Sequence, residues 1–354
     1  MPRAIIAMSG GVDSSVAACL MKDKGYDIIG ITLKLHSQND IIEDQSCCTE
    51  QDIIDAKAVC DKLGIEHRVV DFESDFKKHV IGRFVKSYID GGTPNPCVDC
   101  NRYIKFSELI RIAKEENFDY VVTGHYARVA YDEDSNRYVL KKGIDEAKDQ
   151  SYVLYSLTQD TLSMLKLPLG ELSKDKVREI ALENGFVNAD KKDSQDICFV
   201  PDGKYADFIT EYTKRDFADG DFVDLEGRVL GTHKGIIRYT IGQRRGLNLA
   251  LPQSMYVCKK DIATNTVTLC LDHELFSDTL YADDVNLISI KEINEPVKLE
   301  AKVRYKHNQA PCTLYKVDDD TIKLVFDEPQ RAITKGQAVV MYKDDTVVGG
   351  ATIL

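Results

Sequence analysis

The stretch Ala4-Ile5-Ile6-Ala7-Met8-Ser9-Gly10-Gly11-Val12-Asp13-Ser14-Ser15-Val16 decides the fold. Its apolar first half reads as a short buried strand, and a helical pattern follows the two glycines directly. Glycine lets a backbone approach an anion closely. The N–H groups of a helix start point at such an anion, and the helix dipole adds attraction. The stretch is therefore a phosphate cradle, with hydroxyls from Ser9, Ser14 and Ser15. Asp13 cannot bind phosphate itself, so its expected work is to hold Mg²⁺ or to orient the loop. No Gly-Lys-Ser/Thr follows, which excludes a Walker loop.

Outward from the cradle, strand and helix patterns alternate. Strands are expected at 3–8, 27–35, 66–71 and 120–123, and helices at 14–24, 49–63, 76–89 and 106–115. Thr49 is placed to cap its helix, whose apolar positions read as Ile53, Ile54, Ala58 and Leu63. Alternation of this kind means an α/β domain, a parallel sheet with helices on both faces. Ligands bind such sheets at the carboxyl ends of the strands. That gathers the Ser9–Ser14 loop, Leu33 and Thr123-Gly124-His125 around one cleft. Beyond about residue 200 the segments become short, rich in Val, Tyr, Thr and Ile, and separated by Gly, Asp or Asn, which predicts antiparallel β structure. Boundaries near 201–203 and 272–279 divide the chain into 1–200, 201–274 and 275–354.

The chain has 354 residues, enough for two or three domains, with 43% hydrophobic and 29% charged residues. No apolar run approaches a membrane span and no secretion signal opens the chain, so a cytoplasmic location is expected. Ten cysteines in that setting argue for thiols, metal sites or catalysis rather than a disulfide scaffold. The net charge is −12, so any nucleic-acid surface must gather its cations locally. Between Glu226 and Asp261 there is no acidic residue, while Arg228, Lys234, Arg238, Arg244, Arg245, Lys259 and Lys260 are basic. A second cluster is Lys302-Val303-Arg304-Tyr305-Lys306-His307. An anionic polymer explains these clusters as well as a solvated basic face does.

Two cysteine contexts stand apart. In Thr93-Pro94-Asn95-Pro96-Cys97-Val98-Asp99-Cys100 the prolines impose an extended loop, and Cys100 is expected at the start of the next helix, where a thiolate is favoured. The other is Asp193-Ser194-Gln195-Asp196-Ile197-Cys198. Cys97 and Cys100, with Cys47 and Cys48, could instead hold zinc or an iron–sulfur cluster. The Pro-x-Pro-Cys context and a partner at Cys198 favour thiol chemistry, so no tightly bound metal or cluster is expected. Cys19, Cys60, Cys258, Cys270 and Cys312 read as core fillers.

Together these stretches resemble the tRNA-specific 2-thiouridylases, a family of sulfurtransferases with a pyrophosphate loop of the form SGGxDS. Also matching are residues 123–128, Lys148-Asp149-Gln150, 239–247 and Gly336-Gln337, in family order along nearly the whole chain. The resemblance implies an ATP pyrophosphatase domain, a small central β-rich domain and a C-terminal β-barrel. It implies that ATP, as its Mg²⁺ complex, meets Ala7, Met8, Ser9, Gly10, Gly11, Val12, Asp13, Ser14, Leu33 and Gly124. Asn95, Pro96 and Cys97 would face the target base. The tRNA would meet His125, Lys148, Asp149, Gln150, Arg304, Tyr305 and Gln337, with Arg244 and Arg245 added by the basic cluster. Cys198 would carry a persulfide loaded by a cysteine desulfurase or relay protein, Cys100 would be the nucleophile, and the two would form a transient disulfide. Some relatives have Asp at the Cys97 position, where a thiol is a poor general acid or base. Two rival classes remain. An amidotransferase would need an ammonia source, yet Pro2 rather than cysteine follows Met1. A non-catalytic RNA-binding module leaves the ATP loop and both cysteines unexplained.

Overall fold

The structure, a computed structural model, describes residues 1–36, 49–191, 197–200 and 203–354. Strands β1 (Arg3–Ala7), β2 (Asp27–Lys34), β3 (His67–Asp71) and β4 (Tyr120–Val122) are joined by helices, among them α1 (Val12–Asp23) and α2 (Glu50–Leu63). A hairpin of β5 (Ala127–Asp132) and β6 (Arg137–Lys142) then leaves the sheet, and β7 (Leu165–Lys166) returns to its edge. The order is β3-β2-β1-β4-β7, with every pair parallel. Alternation along β1 sends Ile5 to one apolar cluster and Ala4 and Ile6 to another, so both faces are covered. The chain runs from β1 outward to β2 and β3, then returns to place β4 on the other side of β1. The carboxyl ends of β1 and β4 thus flank a topological switch point, where such sheets bind ligands.

Thr49 caps α2 as expected: its hydroxyl accepts from Asp52 N and the Asp52 carboxylate returns to Thr49 N, a reciprocal capping box. The inward face of α2 differs from the expected one. Ala56, Val59 and Cys60 are buried and Ile54 is exposed, because the N-terminal turn is fixed by Asp52 packing against the pyrophosphate loop.

Strands β8 (Gly220–Val223), β9 (Val229–His233), β10 (Tyr256–Asp261) and β11 (Thr266–Cys270) form a second sheet in the order β10-β11-β8-β9. Its pairs are not all antiparallel, since β11 runs parallel to β8. The long connection 234–255 supplies the crossover that a parallel pair needs. Phe222, Val257 and Leu269 of this sheet share one core with Ile29 and Leu33 of the first. The remaining strands are β12 (Phe276–Leu287), β13 (Val297–Lys302), β14 (Ala310–Lys316), β15 (Ile322–Arg331), β16 (Ala338–Lys343) and β17 (Thr346–Ile353). The order β12-β15-β14-β13-β16-β17, closed by β17 pairing with β12, makes a six-stranded barrel around Leu280, Leu299, Leu314, Leu324 and Met341. The β5–β6 hairpin, encoded in the first half of the chain, is stitched to this barrel. Thr346 pairs with Lys141, Lys142 N donates to Asp345 O at 2.8 Å, and Arg128 reaches the Asp345 carboxylate at 2.8 Å.

Candidate active site

The loop Met8–Val12 turns at the carboxyl end of β1. Gly10 has φ of +74°, and a Cβ there would lie 2.3 Å from the Asp52 carbonyl oxygen, so the close approach of α2 requires glycine. Ser14 Oγ donates to Gly11 O at 3.0 Å and accepts from Ser9 N at 3.2 Å; Ser15 Oγ also donates to Gly11 O. Ser9 Oγ joins them, donating to Ser14 Oγ at 3.2 Å and accepting from Gly11 N at 3.4 Å, so all three hydroxyls shape the cradle. Gly124, beyond β4, packs on the start of α1, where a Cβ would meet the Asp13 backbone carbon at 2.8 Å. Leu33 is buried near the end of β2. The loop, Leu33 and Gly124 thus converge where the sequence placed the cleft.

The carboxylate of Asp13 is held. Lys174 Nζ lies 2.8 and 2.9 Å from its two oxygens, and the Tyr126 hydroxyl donates to Oδ1 at 2.7 Å. Lys174 is only 7% exposed. Asn188 Nδ2 and Lys191 Nζ both donate to Gly10 O, and Lys191 also pairs with Asp52 and Asp55 at 2.6 and 2.7 Å. Sequence reasoning missed these residues. Ser173 reads as a helix cap before Lys174, but no local spacing shows that this lysine turns back onto Asp13. A single carboxylate beside a phosphate cradle fits Mg²⁺ brought in on nucleotide phosphates rather than a resident ion.

The loop after Pro94 leads into a helix capped by Asn95, whose Oδ1 accepts from Cys97 N at 3.1 Å. Helical structure continues through a wide turn at Cys100–Lys105 into Phe106–Glu115. Cys97 therefore occupies the first turn and is exposed, whereas Cys100 lies a turn further in and is 7% exposed. This corrects the expectation that Cys100 opens the helix: Pro96 takes the first position, because a proline there loses no hydrogen bond. Cys100 belongs to the large core beside Phe76, Phe84 and Phe199, and Cys198 packs against the same cluster. Neither is in a disulfide. Residues 193–196 of the Cys198 stretch, and Cys47 and Cys48, lie outside the described residues. Among the described residues, no three His, Cys, Asp or Glu side chains group as metal ligands.

Asp99 points away from Cys97, to Arg83 Nε at 3.2 Å; burial raises its carboxyl above the usual range and Arg83 opposes that. His125 accepts from or donates to Thr123 Oγ1 at 2.7 Å and tilts against Phe106; burial drives its pKa down to about 3, so it stays neutral. Gln150 exchanges hydrogen bonds with the Tyr126 backbone, and Asp149 closes its own turn by accepting from Gly143 N and Ser151 N at 3.1 Å. Gln337 donates to Thr93 O and Thr93 N donates to Lys335 O, so the barrel holds the Pro94–Cys97 loop in place. Arg304 turns inward: its Nη2 donates to Ile241 O, Ala332 O and Thr334 Oγ1. Tyr305 is exposed beside Asp149.

The acid-free window is not acid-free in space. Arg228, Lys234 and Arg238 pair with Asp224, Asp219 and Asp207 from outside it. Lys260 is largely buried without a hydrogen-bonding partner. Arg244 and Arg245 are exposed in a turn between Gly242 and Gly246, both at positive φ.

Three family models match the chain in succession: the tRNA methyl transferase HUP domain over residues 2–202, the tRNA methyl transferase PRC-barrel domain over 206–271, and the aminomethyltransferase beta-barrel domain over 277–353. A tRNA-specific 2-thiouridylase MnmA of Clostridioides difficile (strain 630) is 48% identical over 352 residues, covering 99% of this chain and 98% of the relative. The chain belongs to the tRNA-specific 2-thiouridylase family. A second member, from Acetivibrio thermocellus, is 44% identical over 99% of both chains. Among solved structures, a 4-thiouridine synthetase–RNA complex with bound ATP aligns with 60% of this chain and 52% of its own, at 18% identity and TM-score 0.40. The U34-tRNA thiolase NcsA from Methanococcus maripaludis aligns with 60% of this chain and 66% of its own, at 20% identity and TM-score 0.35. Likenesses at that level decide nothing about function.

Proposed function

We propose that the chain catalyses ATP-dependent 2-thiolation of the wobble uridine of tRNA. The observation that supports this reading, beside family membership, is that Cys100 lies in, and Cys198 packs against, the apolar core that also takes in Leu33 and touches Ala7, the residue before the Met8–Val12 loop. The C2 oxygen of uracil is amide-like and leaves poorly. Transfer of AMP from ATP to that oxygen releases pyrophosphate into the cradle and makes AMP the leaving group. Asp13 would hold the Mg²⁺ of the incoming nucleotide complex, with Lys174 close enough to balance charge. The Cys100 thiolate then attacks the inner sulfur of the Cys198 persulfide. A Cys100–Cys198 disulfide forms and hydrosulfide is freed, which adds to C2 and expels AMP. Alternatively the outer persulfide sulfur attacks C2 directly, and Cys100 then attacks Cys198 to release the thiolated base. Either route ends in the same disulfide, which a cellular dithiol reduces by two electrons to reset the enzyme.

In this reading residues 1–200 perform the chemistry, 201–274 bind tRNA together with Arg244 and Arg245, and 275–354 form the barrel that supports Asn95–Cys97. His125, Lys148–Gln150, Arg304, Tyr305 and Gln337 would then border the bound tRNA directly or through the loops they hold. The sulfur donor would be a cysteine desulfurase or a relay protein. Among the described residues no helix is long and apolar enough to cross a membrane, in line with a cytoplasmic enzyme. Radiolabelled ATP should yield AMP and pyrophosphate only when tRNA is present, with 2-thiouridine appearing in the digested tRNA when the persulfide is loaded. Pyrophosphate release with ammonia as acceptor would identify a ligase instead, and no ATP cleavage would identify a binding module.

A further inference from the structure

Residues 303–309 join β13 to β14 and carry Arg304 and Tyr305. The Tyr305 hydroxyl donates to Asp149 O at 3.1 Å, so this loop and the Lys148–Gln150 turn make one continuous surface. Cys97 is near enough to help raise the Tyr305 phenol, after burial and Asp149, so the surface reaches the target-base loop. The guanidinium of Arg304 is committed to carbonyl oxygens, as described above. Two further lysines lie on this surface. Lys142, at the end of β6, and Lys302, at the end of β13, bring their ammonium groups to 5.0 and 5.9 Å from the centre of the same Tyr342 ring. Lys142 donates to Gln309 Oε1, and Lys302 Nζ has no hydrogen-bonding partner among the described residues. Neither forms an ion pair with a carboxylate there. Asp149, the acidic residue of that turn, spends Oδ1 on Gly143 N and Ser151 N and Oδ2 on Ser151 Oγ.

Two half-buried ammonium groups sharing one ring repel each other. Burial, with Lys142 adding to it, lowers the Lys302 pKa, while Asp149 and Glu146 pull the other way. The ring face offsets only part of that repulsion. The Gln309 amide adds a donor, Nε2, that is buried without an acceptor. The surface thus collects donors and lacks the anion that would satisfy them. Lys142 and Lys302 are half-buried rather than sealed, and an exposed aromatic ring, Tyr305, stands beside the Lys148–Gln150 turn, which suits a nucleic-acid strand better than a lone small anion.

We propose that Lys142 and Lys302 form a phosphate-binding pair for the backbone of the bound tRNA, alongside the loop that faces the target base. The inference rests on the thiouridylase reading. Its test compares the wild type with Lys142→Gln/Lys302→Gln, measuring tRNA binding over a salt series, thermal melting, and persulfide loading of Cys198. Each lost phosphate contact removes about 0.9 from the slope of log affinity against log salt, so the double variant should bind more weakly, with a slope shallower by about 1.8. Melting and persulfide loading should be unchanged, and Lys142→Arg/Lys302→Arg should restore the slope. An unchanged slope in the double variant overturns the proposal, and weaker binding with the wild-type slope assigns the lysines to packing around Tyr342. Binding of inorganic phosphate by the wild type and not by the double variant, with tRNA affinity the same in both, would identify a small-anion site and also overturn it. Absence of tRNA binding by the wild type would sink the thiouridylase reading instead.

Discussion

Cys97 and Cys100 are one helical turn apart, and the turn separates an exposed thiol facing the expected base site from a thiol sealed into the core. Burial shields Cys100 from adventitious oxidants, and Cys198 packs against the same apolar cluster. Cys198→Ser should abolish persulfide loading and thiolation. Cys100→Ser should still load sulfur but fail to turn over, and mass spectrometry of alkylated enzyme after one turnover reads both outcomes. A disulfide from Cys198 to Cys97 would reverse the roles assigned here. At the phosphate end, Asp13→Ala should lose pyrophosphate release while Cys198 still loads. Lys174→Gln should leave folding largely intact, because Tyr126 still anchors the Asp13 carboxylate, and should weaken ATP binding by about tenfold, the effect of roughly 1.4 kcal/mol. Isothermal titration at several Mg²⁺ concentrations would detect it, and unaltered affinity would confine Lys174 to a structural part. The ATP loop was legible because glycine, serine and aspartate in that order have few uses at a strand–helix junction. Lys174 was not, since its partner lies 161 positions away.

Elements were legible where apolar periodicity was strong, and β1, β2, β4 and α2 fall within a residue or two of their expected bounds. The β5–β6 hairpin was not read, because half-buried charged residues, among them Arg128 and Arg137, break the alternation of its strands. The wide turn at Cys100–Lys105 was also invisible, as it follows from packing rather than from any helix-breaking residue. Strand β10 offers a test at this scale. Lys260 is buried, which lowers its pKa from 10.5 to about 8. Above pH 8 the folded chain releases this proton while the unfolded chain retains it up to about pH 10.5, so this residue makes stability rise with pH through that window. Lys260→Met should stabilise the protein near pH 7 by on the order of 2 kcal/mol and remove that rise. Chemical denaturation at pH 7 and pH 9.5 would show it, and a variant no more stable than wild type at pH 7 would mean that the ammonium is solvated.

For the whole molecule, the acid-free window illustrates what a linear reading misses. Charge counted along the chain suggested seven cations, whereas the fold brings acids from elsewhere onto three of them and buries a fourth. Arg244 and Arg245 remain exposed in their turn, with no ion pair among the described residues, and are the two cations of the window proposed to meet tRNA. Replacing both with Gln should weaken tRNA binding and flatten its salt dependence by roughly 1.8 in log–log slope; filter binding over a salt series would show whether this surface is used. The order of three domains was legible from the change in periodicity, but their interlocking was not, because strand partners far apart in sequence leave no local trace. The register between Lys141 and Thr346 has a consequence for biosynthesis. The hairpin leaves the ribosome roughly 200 residues before the strand it docks on, and at 5–20 residues per second that is a delay on the order of 10–40 s. Throughout that interval the first domain carries an unfinished edge, which is closed only once Thr346 and its neighbours have been translated and reach back to the hairpin.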